Sequence, residues 1–223
     1  MKLSSETLTV LKNFASINQN LVFNEGNKIR TIAEAKNLFA AAEVSETFPR
    51  TFGVYDLNEF LSTVGLLEDP ELEFTEEYVK MSSGVRSIEY YYDALEMLTT
   101  PKKDVEMPEC EVKFVLDTRT LGEIRKASSV LGISEMHINS NTNGGVTLSI
   151  RSEEIETANK FKVEVDGEFN QPTFDFVLDV NNLKMIDGDY TVSLSSKLIS
   201  HFVNTTANLE YWCALEKNSS YGE

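Results

Sequence analysis

Phe52-Gly53-Val54-Tyr55-Asp56-Leu57-Asn58-Glu59-Phe60-Leu61 is a plan that the chain states twice. Asp175-Phe176-Val177-Leu178-Asp179-Val180-Asn181-Asn182-Leu183-Lys184 repeats it 123 residues later (179 minus 56). Each copy is an apolar strand running into Asp, then an aliphatic residue, Asn, a variable residue and a large apolar one. Asp at the end of a strand is a preferred helix N-cap, because its carboxylate accepts the first free amide protons of the helix. Each copy therefore predicts a strand followed by a short helix. An offset of a little over half of the 223 residues predicts a duplicated domain.

The flanking segments repeat as well. Ser4 or Ser5 caps a helix to about Ser16 with Leu8, Leu11, Phe14 and Ala15 on one face. Asp117 or Thr118 caps another to about Val130, with Thr120 and Glu123 spaced as a capping box and Leu121, Ile124, Ala127, Ser128 and Leu131 as its stripe. Subtracting 113 superposes Leu121 on Leu8, Ile124 on Leu11 and Ser128 on Ala15.

Short strands fill the rest. In the first half they are expected at 28–32, weakly at 33–44, and at 51–55, 71–74, 78–81 and 87–92. In the second half they are expected at 112–116, 136–139, 146–151, 161–165, 173–178, 190–194, 200–203 and 209–215, with a turn at 141–145. The segment 99–108, with two prolines and a charge cluster, reads as a linker. The expected architecture is α+β: a first domain over 1–100, a connector over 101–109 and a second domain over 110–223.

Chemistry is excluded more readily than assigned. No phosphate-binding glycine loop, zinc-binding helix motif or nucleophile elbow occurs. His137 and His201 sit in strand patterns with nothing in sequence to supply a second ligand or an orienting partner. Asp56 and Asp179 read as caps rather than as paired catalytic carboxylates. Cys110 and Cys213 have no metal-ligand spacing and are simplest as free thiols of a reducing compartment. No catalytic residue, metal or cofactor is assigned. No apolar run has the length of a membrane span and the start is polar, so a soluble cytoplasmic protein is expected.

The net charge of −16 argues against nucleic acid if taken as a sum. Its distribution argues otherwise. The stretches 68–77 and 153–168 are acidic, whereas the helix from Thr118 to Val130 carries three cations against one carboxylate. Arg119 and Lys126 fall opposite its apolar stripe and Arg125 on the flank; Lys12 takes Arg125's place in the first helix. Solvated polar faces are the ordinary explanation of such residues. A cationic face on an anionic body is the other.

Met1-Lys2-Leu3-Ser4, Leu11 to Asn18 and Tyr55-Asp56-Leu57-Asn58-Glu59-Phe60-Leu61 form an ordered set with Phe176 to Met185 leading into Gly188-Asp189-Tyr190, and with Tyr211-Trp212-Cys213-Ala214-Leu215-Glu216. In this set the chain resembles the sliding clamps, or DNA polymerase processivity factors, of T-even-type bacteriophages. The resemblance covers the chain in order and is loosest from about Pro70 to Cys110.

It implies two clamp domains per chain, and three chains joined head to tail around duplex DNA, with helices lining the hole and sheets forming the shell. It further implies loading by an ATPase in the cytoplasm of the infected bacterial host, no catalytic activity, and docking of polymerase and late-transcription factors through hydrophobic C-terminal segments. On position and charge, Lys2, Lys12, Arg119, Arg125, Lys126 and Lys184 are expected to face DNA. Leu98, Pro101, Tyr211 and Leu215 are candidates for a partner pocket, with core or linker packing as the plain alternative. An acidic, strand-rich virion or tail component is the competing class.

Overall fold

The computed structural model describes residues 1–141, 143–155, 157–171 and 173–222. Thr142, in the turn expected at 141–145, and Glu156, in the acidic stretch 153–168, lie outside the described residues. The chain divides into two units, Met1–Asp104 and Val105–Glu223.

The first unit opens with α1 (Ser5–Ile17). Ser4 caps it by accepting the Thr7 amide, and Thr7, Leu11, Phe14 and Ile17 form the buried stripe. Asn18 ends it: the Asn18 amide side chain donates to the carbonyls of Ile32 (2.8 Å) and Thr99 (2.9 Å). β1 (Leu21–Phe23) follows, then β2 (Gly26–Ile32) and β3 (Leu38–Phe48), which form an antiparallel pair. Alanines at 40–42 favour helix in isolation, but all three are buried in β3. Small side chains let this strand pack on both faces, so tertiary context overrides propensity.

β4 (Phe52–Val54) pairs with β1 and runs into α2 (Leu57–Gly65). Asp56 caps α2 through the amides of Asn58 and Glu59 at 2.9 and 3.2 Å. Leu57, Phe60 and Val64 are its buried face. β5 (Glu71–Phe74), β6 (Tyr78–Ser83) and β7 (Arg86–Tyr91) complete the unit as a three-stranded meander. The core is aromatic: Phe23 stacks on Phe52 with centroids 4.5 Å apart, and Phe48, Phe60, Phe74 and Tyr92 pack around the pair.

The second unit starts with β8 (Val112–Leu116) and α3 (Thr118–Leu131). Its cap is Asp117, which accepts the Thr120 amide at 2.6 Å, and the helix stops at Gly132 in the left-handed region (φ 66°) that glycine favours. Thr120 is therefore a buried residue of the first turn rather than the head of a capping box. β9 (Glu135–Ser140), β10 (Val146–Ile150), β11 (Phe161–Val165), β12 (Gly167–Phe169) and β13 (Phe174–Asp179) follow. Then come β14 (Tyr190–Ser195), β15 (Ile199–Asn204), β16 (Leu209–Ala214) and β17 (Ser220–Tyr221). Neighbouring strands run in the order β11-β10-β9-β13-β17 in one layer and β12-β8-β14-β15-β16 in another, all antiparallel.

The two halves share their order of elements with one difference in kind. After Asp179 the expected short helix shrinks to a single 3-10 turn, Val180–Asn182, and Lys184 lies beyond it. A second asparagine, Asn182, follows Asn181, and asparagine side chains compete with helix through their own hydrogen bonds. The first copy has Asn58 and then Glu59 in the corresponding places and holds its helix.

Candidate nucleic-acid interface

α3 presents the cationic surface. Leu121 and Ile124 anchor it in the core, which turns Arg119 and Lys126 outward to solvent. Arg119 Nε lies 3.4 Å from Glu123 Oε1, one helical turn on, with the Arg119 side chain 83% exposed. A pair so exposed contributes little and is readily exchanged for another anion. Lys126 has no carboxylate within 4 Å among the described residues.

Arg125 departs from the expectation of a solvent-facing cation. It is half-buried, and its guanidinium is fully engaged by the segment after the 3-10 turn. Nε donates to the Leu183 carbonyl (3.0 Å), one terminal nitrogen to the Met185 carbonyl (2.6 Å), and the other to Asp187 Oδ1 (2.7 Å). The flank position foreshadowed this: there an arginine reaches past the helix edge to whatever packs beside it. Leu183 and Met185 are buried while Lys184 between them is exposed.

In the first unit Lys12 is exposed on α1. Lys2 precedes the helix and is paired with Asp69, so it is tethered at the surface beyond α1. α2 carries a single charged residue, Glu59, and its start is anionic. Burial, followed by the fields of Asp93, Glu59 and Asp56, pushes the Tyr90 hydroxyl well above its ordinary pKa. That corner repels phosphate; the cations of the helices are concentrated on α3.

Two of the pocket candidates are core. Tyr211 is wholly buried, with its hydroxyl oxygen accepting the Ile186 amide at 3.2 Å, and Leu215 is 5% exposed. Tyr211 points inward from the middle of β16 and Leu215 just past its end, an alternation that the apolar pattern of 209–215 cannot distinguish from a pocket lining. Leu98 is half-buried against Gly53, where an added Cβ would come within 2.7 Å of its methyl group and of the Asp93 carbonyl oxygen. Pro101 is half-buried. Sequence reading missed their neighbours: Tyr55, Leu95 and Met97 are exposed, Met97 by 71%. Leu95 and Met97 belong to a 3-10 turn whose irregular flanks carry no apolar period by which to recognise them.

The histidines do have partners, contrary to expectation. His137 is buried on β9 with Nδ1 3.0 Å from Asp175 Oδ1 on β13, while Arg151 reaches both (2.9 Å to the ring nitrogen and 2.7 Å to Asp175 Oδ2). Cross-strand pairing, invisible in sequence, brings them together: Val177 of β13 faces His137 directly. Glu153 completes a set able to approach a cation, but the Arg151 guanidinium already fills that place. His201 bonds Glu210 across β15 and β16 at 2.7 Å. Both are cross-strand polar contacts within a sheet.

Residues 4–107 match the family of DNA polymerase processivity factors, and residues 113–217 match the C-terminal domain of the gp45 sliding clamp. A sliding clamp of Vibrio phage KVP40 is 34% identical over 222 residues, which cover 97% of this chain and 99% of that protein. The chain belongs to the sliding-clamp family. A second clamp, from Escherichia phage RB69, is 28% identical over 231 residues, with 99% of both chains covered. The fold is shared more widely: an A. fulgidus PCNA, solved with the C-terminal region of FEN-1, superposes with a TM-score of 0.70 at 16% identity over 96% of each chain. The two units are thus tandem clamp domains of α+β architecture. The family is one of non-catalytic processivity factors, and a virion or tail component is ruled out as the competing class.

Proposed function

We propose that this clamp encircles duplex DNA as a head-to-tail ring of three chains and tethers the phage DNA polymerase to its template. An ATP-driven loader places it, in the cytoplasm of the infected host cell. The carrying observation is the segregation of charge: a chain of net −16 has one helix, α3, whose solvent face is cationic. Phosphate contact by exposed lysines and arginines is independent of sequence and individually weak. Weak contacts suit a ring that must hold DNA by topology and still move.

Within this reading Lys2, Lys12, Arg119, Lys126 and Lys184 contact the backbone, Lys2 by exchanging its exposed pair with Asp69, whereas the Arg125 guanidinium is held by the 183–187 segment. Partners, late-transcription factors among them, dock by short apolar segments on Leu98 and Pro101 with Leu95 and Met97. The PCNA solved with a bound FEN-1 segment supports docking of that kind in this fold.

Loading onto nicked circular DNA, followed by linearisation, tests the topology. The clamp is expected to stay on circles and to run off linear DNA with free ends; retention on linear DNA would refute encirclement.

A further inference from the structure

In the first domain the second helix is real, and α2 closes its own backbone hydrogen bonds. In the second domain the same place in the repeat is a single turn followed by five irregular residues, Leu183 to Asp187. Irregular backbone packed on a core must find partners for its carbonyls and amides. The amides of Leu183 and Lys184 turn back to the carbonyls of Val180 and Asn182, at 2.9 Å each, and side chains from elsewhere supply further partners. Tyr190 Oη donates to the Ile186 carbonyl (2.6 Å), the Ile186 amide donates to Tyr211 Oη (3.2 Å), and Arg125 takes the carbonyls of Leu183 and Met185.

The two carbonyls that Arg125 holds flank Lys184. Leu183 and Met185 point into the core, being 3% exposed each, so the residue between them must point out. Because the anchor is on α3 itself, the outward direction is fixed relative to Arg119 and Lys126. We propose that Arg125 is a positioning residue for DNA contact: its forked guanidinium holds the carbonyls of the residues on either side of Lys184 and sets that ammonium beside the cationic face of α3. The inference rests on the reading of α3 as the DNA face.

Lys12, at the same helical position in the first repeat, has no such task, since α2 needs no bracket. Lys and Arg at this position are therefore not equivalent. A guanidinium offers several donors in a rigid plane, enough for two carbonyls and a carboxylate, whereas an ammonium on a flexible stem cannot span the Leu183 and Met185 carbonyls together.

The test is equilibrium binding of the full-length clamp to a short duplex at low ionic strength, read as the slope of log K against log salt. Each phosphate contact contributes ~0.9 to that slope. Lys184→Ala, at an exposed site, should lower the slope by about one contact. Arg125→Lys retains the charge and should lower it as much as Lys184→Ala does. The double variant should show no further loss, while Arg125→Lys combined with Lys126→Ala should show both losses in full. Binding at the wild-type level in Arg125→Lys, with loss only in Arg125→Ala, would make Arg125 a direct phosphate contact and overturn the proposal. An unchanged slope in Lys184→Ala would overturn it even if the Arg125 variants fail to fold. An unchanged slope in Lys126→Ala as well would bring down the DNA-face reading itself.

Discussion

Replacing Glu46 tests how the first helix is held. Glu46 lies on β3 and is 9% exposed. Its carboxylate accepts the amide of Ser4, the hydroxyl of Thr7 and, at 3.0 Å, the hydroxyl of Ser45. Ser4 is the cap of α1 and Thr7 its first buried residue, so one carboxylate ties the start of the helix to the sheet. Burial by itself raises the pKa of Glu46. The hydrogen bonds from Thr7 and Ser4 outweigh it and hold the carboxyl below its ordinary value of 4.5.

A hydrogen bond to a charged group contributes about 1.5–3 kcal/mol net, and a buried donor left alone costs about 1–3 kcal/mol. Ser4 is only half-buried, so water can replace part of what Glu46→Ala removes, and a loss of about 2–3 kcal/mol is expected. Glu46→Gln keeps one acceptor oxygen and should lose about half as much. A carboxyl whose folded pKa is depressed stabilises fully above its unfolded pKa and loses that stabilisation as pH falls through the folded value. The advantage of wild type over Glu46→Gln should therefore be full at neutral pH and shrink below pH 4.5. Urea unfolding measures the difference, and amide exchange over residues 5–17 shows whether α1 is the part released. A loss under about 0.5 kcal/mol in Glu46→Ala, within the range of ordinary surface substitutions, would refute the reasoning. So would a gap between wild type and Gln that persists undiminished in acid.

Three further outcomes are expected. Gly53→Ala should destabilise the first domain by about 1–3 kcal/mol, the usual cost of overpacking, because the new methyl would meet backbone at Asp93 and the Leu98 side chain; thermal denaturation measures it. Asp104→Asn removes the partners of Lys28 (3.5 Å) and Arg30 (2.7 Å); exposed pairs contribute about 0–1 kcal/mol, so the melting temperature should barely move while tryptic cleavage after Lys102 and Lys103 quickens. Native alkylation should modify Cys110 alone, since full burial pushes the Cys213 thiol up to about 12; modification of Cys213 at a comparable rate would show that β16 opens.

The repeat in sequence was enough to reveal two similar units because Asp capping and apolar period are local signals. Asp56 occupies the cap position assigned to it, and of the alternatives Ser4 or Ser5 and Asp117 or Thr118 the caps are Ser4 and Asp117. The failures are at places where distant residues decide. How the chain runs on after Val180-Asn181-Asn182 depends on what can satisfy the carbonyls that follow, and Arg125, which takes those of Leu183 and Met185, is 58 residues away from Leu183. The apolar pattern places Tyr211 and Leu215 on a strand without saying whether their side of it is covered. His137 finds Asp175 only through the pairing of β9 with β13. On α3, by contrast, the outward turn of Arg119 and Lys126 is fixed by Leu121 and Ile124, two and five positions away, and such spacing is visible in sequence.

The helix starts carry a consequence for sliding. A free helix N-terminus is an anion site, since its unpaired amides and dipole favour phosphate. Here several of those amides are already occupied by the chain's own oxygens. At α1 the Thr7 amide goes to Ser4, and the Ser4 amide and Thr7 hydroxyl go to Glu46. At α3 the Thr120 amide goes to Asp117, and the amide and hydroxyl of Thr118 both go to Asp189 at 2.7 and 2.9 Å. The carboxylates come from unrelated places in the two repeats, Glu46 on β3 and Asp189 just before β14, yet they fill the same need. On the proposed DNA face, some of the rigid backbone donors that would grip one phosphate geometry are thus withdrawn from competition. In that proposal the contacts fall instead to long, mobile ammonium and guanidinium groups, which would pass a phosphate from one to the next at little cost.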